Sequence, residues 1–280
     1  MNYLISVSQS AAYALMVVVF WYIGKRVTDW TTRADDDEHI ENKKNLAMAL
    51  MRAGQYIGIA VGMAGALSGG DGSAPSFVKD MTLLAMDGAL IVVLFLVSRL
   101  ICDRLILAGV SNDREIENGN TAVGLAECGM LAGTGLIMNG AFAGEGSLFQ
   151  GLVFFFLGQS VFILAVRLFT LVKSYHLVDE IKNGNVSAGI VLAGNLVSLG
   201  FILRSSVTGA FTGWTSDLVA FGLSAVSGMV FLVIFQYIAD LLFLPRSKER
   251  EQIVDNRNNA AALIIVAIQT GLSIIVGILV

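Results

Sequence analysis

The chain has 280 residues, 55% of them apolar and only 14% charged, with a net charge of −4 and a mean hydropathy of +0.73. Soluble domains carry about 25% charged residues, so this composition excludes an ordinary water-soluble protein. The acidic balance leaves no basic surface for nucleic acid.

The apolar residues fall in blocks of about twenty, the length that crosses a bilayer core as a helix. Eight such blocks occur: Leu4–Ile23, Leu46–Leu67, Met81–Ile101, Thr121–Ala143, Leu148–Val172, Val186–Val207, Leu218–Leu241 and Ala260–Val280. None alternates in polarity as a barrel strand would. The first follows Met1-Asn2-Tyr3, which lacks a basic region, and therefore reads as a span rather than a signal peptide. The fold expected is an all-α membrane protein.

The connections alternate between two kinds. Gly24–Asn45, Cys102–Asn120, Lys173–Asn185 and Leu242–Asn259 are long and charged. Ser68–Asp80, Gly144–Ser147 and Thr208–Asp217 are shorter and rich in Gly, Ser and Thr. The long linkers and their flanks hold 15 of the 18 Lys and Arg. The positive-inside rule then places them in the cytoplasm of a bacterial inner membrane, with both termini outside.

One short motif recurs at the end of every long linker. Its clearest copies are Glu115–Gly124 and Glu180–Gly189, which share Asn-Gly-Asn at Asn118-Gly119-Asn120 and Asn183-Gly184-Asn185. Looser copies end at Asn45 and Asn259. The steps between Asn45, Asn120, Asn185 and Asn259 are 75, 65 and 74 residues, so the same half recurs about every 140 residues. Two tandem four-helix units follow, 1–143 and 144–280, each made of two helical hairpins in parallel repeat. The outer two copies resemble each other, as do the central two. Duplication would instead pair first with third.

Each motif Asn stands where a free helix N-terminus enters the bilayer, and an Asn there caps a first-turn N–H. The four N-termini could also gather an anion, although Glu41, Glu115, Glu117, Glu180 and Asp255 crowd the same face. The even-numbered spans carry small residues at four-residue spacing, Gly54, Gly58 and Gly62 among them, which lets backbones meet. Even spans are expected inside, either densely packed or around a lumen, with odd spans facing lipid.

Polar residues within spans mark function by default: Arg52, Gln55, Asp87, Glu127, Asn195 and Gln269. Arg52 and Glu127 both lie seven residues past a motif Asn and carry opposite charge, so a pair is expected, for packing or as a gate. Asp87 is either a cation site or a further partner of Arg52. Gln55, Asn195 and Gln269 would line a polar path if one exists. Catalysis finds no foothold. The two histidines, His39 and His176, lie in linkers, no nucleophile or metal spacing appears, and Cys102 and Cys128 read as free thiols. No cofactor or metal is expected.

At Asn118–Gly124, Asn183–Gly189 and the glycine-rich helices after them, the chain resembles the YjfL-like family of bacterial inner-membrane proteins, domain-of-unknown-function family 350. The resemblance implies compact four-helix units and a plasma-membrane setting, weakly linked to envelope stress. It supplies no activity or catalytic residue. Two readings follow: a channel or transporter-like protein for a small ion or solute, or a scaffold that recruits a cytoplasmic protein through its linkers. A homo-oligomer in the lipid bilayer is expected in either case.

Overall fold

The computed structural model describes residues 2–32, 35–68, 76–107, 109, 111–143, 147–172, 175–209, 211–243 and 248–279. Most of the two short connections after the second and fourth spans lies outside these. Ten α-helices follow in order: α1 (Asn2–Thr32), α2 (Leu46–Ser68), α3 (Phe77–Leu105), α4 (Asn112–Glu117), α5 (Thr121–Phe142), α6 (Leu148–Val172), α7 (Leu177–Lys182), α8 (Val186–Val207), α9 (Trp214–Phe243) and α10 (Asn259–Leu279). Eight are long and apolar enough to cross a membrane. The other two, α4 and α7, are single linker turns before the central motifs. The outer motifs are preceded by π-helical turns, Glu38–Asn42 and Glu251–Asp255.

Two layers result. α2 packs on α5, α5 on α8 and α8 on α10, forming one row of four helices. The other spanning helices form an outer row in the grooves: α3 touches α2 and α5, α6 touches α5 and α8, and α9 touches α8 and α10. α1 rests on α2 and α3. The inner helices span 21 to 23 residues. The outer ones run to 31, 29, 25 and 30, and all but α6 are longer than their apolar blocks.

Glycine sets the inner spacing. A Cβ on Gly124 would lie 2.6 Å from the Ala47 Cα, and one on Gly189 would lie 2.8 Å from the Ala122 Cα. Backbones approach so closely only where a side chain is missing. The inside-outside expectation holds for α2, α5 and α8, where 56%, 78% and 72% of the most apolar stretch is buried. It fails for α10, at 28%, which is as bare as the outer helices. α10 ends the row and has an inner neighbour on one side only.

The motif is a helix stop followed directly by a helix start. Gly119 (φ +85°) and Gly184 (φ +75°) take the left-handed conformation that ends α4 and α7, where glycine carries no Cβ penalty. Lys44 (φ +53°) and Arg257 (φ +46°) do the same at the outer copies. The next residue caps the membrane helix. Asn120 Oδ1 accepts from Ala122 and Val123 N–H at 3.2 and 3.3 Å, Asn185 from Ala188 at 3.3 Å and Asn45 from Met48 at 3.1 Å.

The fourth cap is Asn258, not Asn259. Asn258 Oδ1 accepts from Ala260 and Ala261 at 3.1 and 3.2 Å. Asn259 has already entered the helix and accepts from Ser187 Oγ at 2.7 Å. The π-turn causes the shift. At the outer motifs the cap N–H reaches six residues back, Asn45 to His39 and Asn258 to Gln252; at the central motifs it reaches five, Asn120 to Glu115 and Asn185 to Glu180. The outer copies therefore match each other in this wider turn, and both lie at the ends of the row.

The caps also tie the linkers together. Asn45 Nδ2 donates to the Ile116 carbonyl at 2.7 Å, Asn120 to those of Ile181 and Lys182 at 3.3 and 3.1 Å and Asn185 to that of Ile253 at 2.8 Å. Among the described residues Asn258 donates only to Gln252 of its own turn. Asn118 and Asn183 are exposed helix ends. Replacing a cap costs about 1 kcal/mol, and stranding a buried carbonyl adds about 1–3 kcal/mol. Thermal unfolding in detergent should therefore show Asn185→Ala costing about 2–4 kcal/mol and Asn258→Ala about 1 kcal/mol. Equal losses would mean that the cross-linker bonds contribute nothing.

Candidate functional site: two charged clusters at the linker face

The expected pair of Arg52 with Glu127 is not formed. Arg52 is buried and pairs with Asp29 at the end of α1 and with Asp36, itself buried. Its Nη1 donates to Gln55 Oε1 at 2.8 Å, and Gln55 Nε2 donates to Thr28 Oγ1 at 2.9 Å. Arg52 thus fastens α2 to its own outer helix. α1 runs on past the apolar block to Thr32, which brings carboxylates within reach on the near side.

Glu127 belongs to a second cluster. It is 1% exposed and accepts from Asn112 Nδ2 of α4 at 2.6 Å. Asn112 also reaches Asp103 of α3 at 3.4 Å, so one amide bridges the Asp103 and Glu127 carboxyls. Arg99 faces Asp103 at 3.8 Å and binds Asp113 at 2.6 Å. A carboxyl inside a span thus meets an amide, and that amide leads to a second carboxyl faced by a guanidinium. Glu127 Oε2 and Asn112 Oδ1 are buried with no hydrogen-bond partner among the described residues. The arrangement can hold and pass a proton, or accept a small cation when both carboxyls ionise.

The remaining in-span polar residues do not converge. Asp87 is half-buried on α3, and among the described residues no hydrogen bond or ion pair joins it to Arg52. Gln55 is spent in the first cluster. Gln269 is buried in α10, its Nε2 without a hydrogen-bond partner among the described residues. Asn195 sits in the wall of a side groove of about 590 Å³ between α6, α8 and α9, lined largely by aliphatic residues such as Val166, Leu199 and Met229. Its side-chain atoms also lack hydrogen-bond partners among the described residues. Glu249, bound by Tyr175 Oη at 2.9 Å, lines the same groove. Among the described residues no hydrogen bond joins Gln55, Asn195 and Gln269 to one another.

Reading residues one by one missed Asp29, Asp36, Arg99, Asp103 and Asn112. All lie in or beside the long linkers, where charge is ordinary. Their signal was the outer helices α1 and α3 running on past their apolar blocks, which carries linker charges back over the inner row. Both cysteines are free thiols. Among the described residues no group of three or more His, Cys, Asp or Glu is placed to hold a metal ion.

A transmembrane protein of Aquifex aeolicus (strain VF5), described as a UPF0719 transmembrane protein, is 23% identical over 260 residues, covering 90% of this chain and 93% of its own length. No solved structure matches the chain. A family model described as Domain of Unknown Function (DUF350) matches twice in tandem, at residues 2–142 and 144–280. With both halves matched, this multi-pass membrane protein belongs to the DUF350 family.

Proposed function

We propose that the chain is a non-enzymatic, transporter-like protein of the bacterial plasma membrane that moves a small cation, the proton first of all, through the Glu127 cluster. The observation that carries this reading is a carboxyl buried inside a span and bridged by the Asn112 amide to a second carboxyl. Ionisable groups inside membranes are costly and typically mark ion or proton pathways. The excess of Lys and Arg in the long linkers supports a cytoplasmic position for the cluster.

The test is reconstitution into liposomes containing a pH-sensitive dye, with an imposed pH gradient. Glu127→Gln keeps the shape and the Asn112 contact but removes the exchangeable charge. The expected result is at least a tenfold loss of proton flux with little change in melting temperature. Equal flux in both proteins would end the reading.

A scaffold that holds a cytoplasmic partner is the second reading. The backbone-to-backbone contact of α2, α5 and α8 favours it, since that core leaves no lumen between these helices. It predicts no flux in either protein.

A further inference from the structure

We infer that a second copy of this chain docks head-to-tail, its α2 against the open face of α10, so that the inner helix row continues from one subunit into the next. This goes beyond the flux reading and does not depend on it.

The three internal interfaces follow one rule when residues are counted from the caps Asn45, Asn120, Asn185 and Asn258. The ninth residue of one helix meets the eighth of the next: Gly54 meets Cys128, Gly129 meets Ala193 and Gly194 meets Val266. The fourth residue of the later helix meets the second of the earlier one, as Gly124 meets Ala47 and Gly189 meets Ala122.

The two ends of the row carry the unused halves of this rule. On α10 the ninth residue is Ala267 and the thirteenth is Gly271. Both are exposed, and nothing lies within 4 Å of a Cβ built on Gly271. On α2 the fourth and eighth residues are Ala49 and Ala53, both only partly covered. A helix face that met only lipid would have no need of small residues at these registers. Continuing the rule sets Ala267 on Ala53.

Two independent features stop short at the same ends. Each cap amide donates to the linker carbonyl of the next repeat, and the isoleucine there is buried: Ile116, Ile181 and Ile253 are 1%, 0% and 0% exposed. Ile40, the equivalent residue of the first linker, is only partly buried, and no preceding cap in this chain donates to it. Asn258, the last of the four caps, donates to no other linker among the described residues. The outer row is also incomplete at the head. α3, α6 and α9 each lie between two successive inner helices, while α1 has only α2. Only 11% of its most apolar stretch is buried, against 39%, 33% and 28% for the other three. A preceding copy's α10 would supply the missing side of this groove, and its cap Asn258 would donate to the Ile40 carbonyl and cover Ile40. The interface joins unlike surfaces, so copies would add in one direction and a closed assembly would be a ring.

Disulfide trapping in native membranes tests this. Ser198 Oγ and Thr270 Oγ1 are 3.0 Å apart across the α8–α10 interface, thirteen and twelve residues past their caps. The equivalents at the free ends are Gly271 and Ile57, both exposed. Oxidation of a Gly271→Cys, Ile57→Cys double variant should give a ladder of covalent multimers, and each single variant should give none. Mixing two differently tagged single variants should give only the mixed dimer. Ser198→Cys with Thr270→Cys should close within one chain, showing that the oxidant reaches this depth. If that control closes while the double variant stays monomeric, the proposal fails. A Gly271→Cys homodimer would point to a face-to-face contact and also overturn it. Gly271→Leu, which meets nothing in its own chain, should keep the melting temperature of the isolated subunit and lose the multimer.

Discussion

Replacing Arg52 by Met will destabilise the protein by about 3–5 kcal/mol, the usual result of stranding one member of a buried ion pair. Asp36 is the stranded group. It is 2% exposed, and Arg52 is its ion-pair partner. Asp29 is partly solvated and will suffer less. A double variant, Arg52→Met with Asp36→Asn, should lose markedly less than the two single losses added. The measurement is a double-mutant cycle on thermal unfolding in detergent. The same cycle between Arg52 and Glu127 should be close to additive, because the two side chains serve different clusters. Strong coupling there would contradict the geometry described above.

The architecture was legible because its causes are local. Each span is an apolar block of bilayer length, and each motif is an Asn at a helix start, so the eight helices and the tandem organisation could be read residue by residue. The fourth cap was misplaced by one position because Asn258 and Asn259 are both Asn, and only the wider π-turn decides between them. The Arg52–Glu127 pairing failed for a different reason. Equal depth on two helices fixes height but not azimuth, and the partner of a long side chain is set by whichever carboxylate the neighbouring outer helix brings round. That depended on α1 and α3 running on as helix to Thr32 and Leu105, past the point where hydropathy falls. The amides Gln55, Asn195 and Gln269 illustrate the same limit. Gln55 is taken up by Arg52 and Thr28, Asn195 borders the aliphatic groove and Gln269 is buried in α10, which a count of residues along each helix cannot reveal.

The repeats have also diverged in their chemistry. Seven residues past the cap stand Arg52 and Glu127 in the first unit, but Leu192 and Ile265 in the second. Both charged clusters therefore belong to the first unit. The second unit instead has the aliphatic groove between α6 and α9, with Asn195 and Glu249 in its lining. A scaffold of identical repeats would need no such division. It is consistent with one unit handling charge while the other completes the row.

The row itself should be the feature least tolerant of substitution. Gly129→Val will cost about 3 kcal/mol or more, the upper end for overpacking a core. A Cβ at Gly129 would lie 2.6 Å from the Ala193 carbonyl oxygen and 2.8 Å from its Cβ, and valine adds two further methyls. The obstacle is backbone, so no rotamer change can relieve it. Relief requires α5 and α8 to separate, and that pulls on the cap bonds from Asn120 to the Ile181 and Lys182 carbonyls. The loss should therefore appear both as a lower melting temperature and as faster hydrogen exchange at the N-terminal end of α8. Gly271→Val is the control, because the same change there meets open space within the chain. In the isolated subunit it should cost no more than a few tenths of a kcal/mol, the scale of surface substitutions. Similar losses at both positions would mean that glycine matters in these helices for reasons other than close approach, and the common interface rule would lose its basis.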